Sequence, residues 1–77
     1  MIKVTEYYTP TCPMCKQLKQ RLLAAEGIEC EFVDMTVCNP IQATQAPWLV
    51  IEKDGEIVMN EHPVSIGKVI QFIQNNK

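Results

Sequence analysis

From Ile2 to Tyr8 the chain is rich in β-branched and aromatic residues, with Ile2, Val4 and Glu6 in alternation, and the run stops at Thr9-Pro10-Thr11. That pattern predicts a strand followed by a turn. From Pro13 the period lengthens. Cys15, Leu18, Leu22 and Ala25 recur at helical spacing, Lys16, Gln17, Gln20 and Arg21 fall mostly off that stripe, and Gly27 supplies a stop. The segment is an amphipathic helix. Ile28 to Met35 returns to strand chemistry, with Cys30 and Phe32 on one face and Glu29, Glu31 and Val33 on the other.

Thr36 to Gln45 is less periodic. Asn39 suits a cap and Pro40 a first helical position, which allows a turn or two of helix over Ile41 to Gln45. Trp48 to Ile51 and Glu56 to Met59 flank Lys53-Asp54-Gly55, and an Asp-Gly pair between apolar runs signals a β-hairpin. After Pro63, Ser65 can cap a last helix whose stripe of Ile66, Val69, Ile70 and Ile73 runs out at Asn75-Asn76-Lys77. The order is βαβ, a short α, then ββα. A crossover makes the first two strands parallel, and the hairpin adds antiparallel strands to the same sheet, with helices covering its faces. The class is α/β with a four-stranded mixed sheet.

Seventy-seven residues suffice for one domain, spanning 1–77, and not for two. A net charge of -2, with Lys and Arg scattered, gives no footprint for nucleic acid or an anionic membrane. No apolar run approaches a bilayer span, and the first residues lack the apolar core of an export signal. A soluble, cytoplasmic protein is expected, monomeric by default. The absent export signal also argues against a secreted disulfide framework for the four cysteines. Their spacing is uneven: Cys12 and Cys15 form C-x-x-C, whereas seven residues separate Cys30 from Cys38.

Pro13 fits the first helical position and places Cys12 at the cap, where unpaired backbone N–H groups point at its sulfur. Cysteines in such settings ionise at roughly 3.5–7.5 instead of about 8.5. Cys12 is therefore the expected nucleophile. Cys15, three residues on and on the apolar stripe, is close enough to bridge and is disfavoured as a thiolate by burial. The labour divides accordingly: Cys12 attacks a disulfide, and Cys15 resolves the mixed disulfide. A structural zinc site would need two more ligands. Cys30 is expected in the core, Cys38 in a loop, and the only histidine, His62, lies far along the chain. The rival of another class is a module that binds a metal or iron-sulfur cluster through its cysteines.

The stretch YYTPTCPMCK resembles the active-site segment of the thioredoxin/glutaredoxin superfamily, and the likeness covers nearly the whole chain. Proline directly after the first cysteine is the glutaredoxin order, while Thr11 stands where thioredoxins carry tryptophan. The second half, APWLVIEKDGEIV and SIGKVIQFI, is similar to thioredoxins. The resemblance implies a minimal thioredoxin fold and a thiol-disulfide oxidoreductase with no bound cofactor. It also implies disulfide-containing protein substrates or small-thiol disulfides, with glutathione or a thioredoxin reductase as reductant. It assigns Pro47 to the family's cis-proline and Ala46 to backbone contact with an extended substrate. Glu6, six residues before Cys12, takes the position of the buried carboxylate that moves protons for the second cysteine, and Lys16 matches the lysine after it. Tyr8 and Thr11 line the rim. The glycine pair and acidic residue with which many glutaredoxins bind glutathione are replaced by Asn60-Glu61-His62-Pro63-Val64-Ser65.

Blander readings apply elsewhere. Trp48 is a packing residue, Cys30 a small core residue, Cys38 a loop thiol with a regulatory role as the minority reading, and His62 a loop residue.

Overall fold

The computed structural model describes residues 1–63 and 65–77; Val64, part of the segment that replaces the glycine pair, lies outside the described residues. β1 (Ile2–Tyr8) is followed by α1 (Pro13–Ala24), β2 (Ile28–Asp34), β3 (Trp48–Lys53), β4 (Glu56–Glu61) and α2 (Ile66–Asn76). The strands form one mixed sheet in the order β2-β1-β3-β4. β1 runs parallel to β2, with Glu6 beside Phe32, and antiparallel to β3, with Glu6 beside Leu49. β4 is antiparallel to β3, with Leu49 beside Glu61.

The elements end for local reasons. Gly27, at φ 78°, turns the chain from α1 into β2 in a conformation that costs glycine least. Asp54 and Gly55, at φ 53° and 86°, form the two left-handed residues that match a tight hairpin to the strand twist. The Ser65 hydroxyl accepts the Lys68 N–H at 3.2 Å and caps α2.

Ile2 and Val4 of β1 pack with Leu49 and Ile51 of β3, Leu18 and Leu22 of α1, and Val69 and Ile73 of α2. Side chains alternate across a strand, and paired residues share a face. Both helices therefore lie on one face of the sheet, which corrects the expectation that helices cover both. The opposite face carries Lys3, Thr5 and Tyr7, with no helix over it among the described residues.

The expected short helix over Ile41 to Gln45 does not form, and Asn39 is the reason. Its side chain accepts the Ala43 N–H and donates to the Ala43 carbonyl, both at 2.9 Å. A helix would need that same N–H on the Asn39 backbone carbonyl, which takes the Gln42 N–H at 3.2 Å instead. Gln42 itself sits at φ 54°, outside any right-handed helix.

Candidate active site

β1, β2 and β4 end, and β3 begins, at the same end of the sheet. Residues 9–12, 35–38, 46–47 and 62–63 therefore meet there, next to the carboxyl ends of the two parallel strands, where open α/β sheets place their ligands.

Cys12 caps α1 in extended conformation, with Pro13 at the first helical position. Its sulfur accepts the Cys15 N–H at 3.2 Å, and its own N–H donates to the Thr9 carbonyl at 3.3 Å. Both cysteines are free thiols; Cys12 is half-buried and Cys15 is 2% exposed. Burial, with smaller contributions from the hydrogen bond and charge of Cys12 and the charge of Glu6, pushes the Cys15 thiol up to about 12, against an opposing backbone hydrogen bond at Thr9. At rest the proton stays on Cys15. Covalent capping of the Cys12 sulfur would remove the two contributions from Cys12 and make Cys15 easier to ionise.

Glu6 points into the core face beside Ile2 and Val4 and is 1% exposed. Both carboxylate oxygens are buried without a hydrogen-bond partner. Desolvation lifts the carboxyl from 4.5 to about 7, with the Lys19 charge pulling the other way. An unsatisfied buried carboxyl is costly and belongs to the class of group that marks chemistry more often than packing. A cavity of about 160 Å³, lined by Glu6, Tyr8, Thr9, Pro10, Cys15, Lys16 and Lys19, joins the acid to the buried thiol. It has room for water. Lys19, one helical turn beyond Cys15, holds its ammonium 5.1 Å from the centre of the Phe32 ring, a favourable cation–π placement.

Cys12, Cys15, Glu6 and Lys16 are thus brought to one place, and Thr11 is exposed on the turn before the helix. Pro47 is buried and joined to half-buried Ala46 by a cis peptide. One step beyond the Tyr7–Trp48 pair, the register brings Pro47 beside Tyr8, which lines the cavity. Neither Cys30 nor Cys38 lines that cavity: the Cys30 thiol points at the Leu22 carbonyl, 3.5 Å away, and Cys38 is exposed after β2. The Trp48 indole N–H donates to Asn60 Oδ1 at 2.8 Å. Lys19 and His62 stand outside the set drawn from sequence. The four-residue spacing from Cys15 to Lys19 is a signal that could have found the first; nothing local marks the second.

Among the described residues, no three His, Cys, Asp or Glu side chains gather closely enough to hold a metal ion. No helix among them is long and apolar enough to cross a membrane.

No protein-family model matches the sequence. An uncharacterized glutaredoxin-like 8.6 kDa protein in the rubredoxin operon of Clostridium pasteurianum is 33% identical over 79 residues, a match covering 92% of this chain and 99% of that one. The fold is similar to that of Fasciola hepatica thioredoxin, with a TM-score of 0.77 at 20% identity over 99% of this chain and 81% of the other. A mutant thioredoxin from Halobacterium salinarum gives 0.74 at 16% identity over 97% and 74%. At these identities the shared property is the fold.

Proposed function

The chain belongs to the glutaredoxin-like proteins of the thioredoxin/glutaredoxin superfamily, and on that footing we propose that it reduces disulfides of proteins or small thiols by dithiol exchange through Cys12 and Cys15. The observation that carries this reading is the pairing of a half-buried sulfur at a helix cap with a buried thiol whose own N–H it accepts at 3.2 Å.

The Cys12 thiolate attacks one sulfur of the substrate disulfide. That bond breaks, a Cys12–substrate disulfide forms, and the departing thiolate takes a proton from water. Cys15 then gives its proton to Glu6 and attacks the Cys12 sulfur. The second substrate thiolate leaves and is protonated, Cys12–Cys15 becomes the disulfide, and two electrons have passed to the substrate. Glu6 releases its proton through the cavity it shares with Lys16 and Lys19. Ala46 offers backbone to an extended substrate, with Pro47, Thr11 and Lys16 around the sulfurs. Glutathione or a thioredoxin reductase restores the dithiol.

The test supplies oxidised protein and a disulfide substrate with NADPH and either glutathione plus its reductase or thioredoxin reductase. Turnover in one arm, lost in Cys12→Ser, supports the proposal; no turnover in either arm contradicts it.

A further inference from the structure

The imidazole Nδ1 of His62 lies 2.7 Å from the carbonyl oxygen of Pro47. We propose that His62 is a positioning residue that holds the Ala46–Pro47 segment in place for substrate, by donating its Nδ1 proton to that carbonyl. The inference rests on the reading of Ala46 as the backbone against which an extended disulfide substrate docks.

A carbonyl can only accept, so Nδ1 must carry the proton, whether the ring is neutral or charged. The reason for the contact lies in the strand register. Leu49 pairs with Glu61, and two residues further the same register sets Pro47 opposite Pro63. Neither proline has an N–H with which to extend the ladder. The Pro47 carbonyl, on a buried residue, therefore needs a donor from outside the backbone ladder, since an unpaired buried carbonyl is unfavourable. His62, next to Pro63, supplies it from its side chain.

The placement matters because nothing regular precedes it. No helix or strand lies between Asp34 and Trp48, so the position of Ala46 and Pro47 depends on what grips the start of β3. Two side-chain hydrogen bonds tie that start to the end of β4: His62 to Pro47, and Trp48 to Asn60 at 2.8 Å. The first acts on the residue next to Ala46.

The experiment compares His62→Leu, which keeps bulk without a donor, with His62→Asn, whose amide nitrogen stands the same number of bonds from Cα as Nδ1. Each is assayed on an extended peptide disulfide and on a small dialkyl disulfide. His62→Leu is expected to raise KM for the peptide about tenfold, the scale of one lost hydrogen bond, with little change in kcat. It leaves the small disulfide unaffected, and His62→Asn restores the peptide KM. Nitrogen-15 spectra of the unmodified protein, above the range in which imidazole titrates, are expected to show the Nδ1–H tautomer. An Nε2–H tautomer overturns the proposal, as does equal behaviour of the two variants. Absence of turnover on both substrates by the unmodified protein would instead overturn the underlying docking reading.

Discussion

The backbone N–H of Cys15 donates to the sulfur of Cys12 across 3.2 Å. One sulfur therefore faces the positive end of a helix while half-exposed, and the other is packed beneath it. With Cys15 pushed up to about 12, only about one molecule in 10⁵ carries that thiolate at pH 7. Iodoacetamide at neutral pH is expected to label Cys12 well before Cys15, as read by peptide mapping. Faster labelling of Cys15 would reverse attacker and resolver.

Glu6 makes the fold less stable in the pH range where its carboxylate, the proposed base, is the populated form. Its carboxyl titrates near 7 folded and near 4.5 when free of the protein. Between those values the unfolded chain has lost the proton and the folded chain keeps it, so the stability contributed by protonated Glu6 is full below about 4.5. It falls as pH rises to about 7 and is gone above. Glu6→Gln removes that slope. Urea unfolding is expected to show the reduced variant more stable than the parent above pH 7, by about 3 kcal/mol at most, with the gap closing towards pH 4.5. Parallel curves for the two proteins would mean that Glu6 is solvated.

Kinetically the same residue is expected to act in the opposite sense. With Glu6 as the proposed base, release from the mixed disulfide slows as pH drops through about 7, and Glu6→Gln makes release slow at neutral pH and steadily faster towards high pH, following the Cys15 thiolate instead of the carboxylate. Lys19→Gln removes the charge that favours the carboxylate, which moves the release profile to higher pH. Stopped-flow measurement of mixed-disulfide decay reads both, and an unmoved Lys19→Gln profile would detach that lysine from the relay.

The strands, both long helices and the cysteine pair were legible because each follows from a short-range period or cap: Val4 and Glu6 alternate, Leu18 and Leu22 stack, Ser65 precedes an apolar stripe. What was missed depends on competition or on long-range register. Asn39 satisfies Ala43 with its side chain and so defeats the helix that its own capping tendency suggested. β3 and β4 extend beyond their apolar runs to Lys53 and Glu61 because the ladder continues through polar residues. His62 acquires its contact where the β3–β4 register, extended past the Leu49–Glu61 pair, sets two prolines opposite each other, which no local pattern announces. Lys19 meets the Phe32 ring only through the packing of α1 beside β2, which no local pattern in the helix announces.

The shared face of the helices sets the cost of loosening the site. Leu18 is fully buried one turn below Cys15, whereas Leu23 on the same helix is 62% exposed. Leu18→Ala is expected to cost about 3 kcal/mol by urea unfolding, and Leu23→Ala less than about 0.5. Equal losses would contradict the packing of α1 described above.

The most direct test of the account is to trap the intermediate. Cys15→Ser and Cys12→Ser proteins, each with Cys30 and Cys38 also replaced by Ser, are mixed with a disulfide substrate, and intact mass is followed with time. Cys15→Ser is expected to accumulate one substrate-sized adduct on Cys12 that persists without added thiol, and Cys12→Ser to form none. A stable adduct on Cys15, or no adduct on either protein, would contradict it.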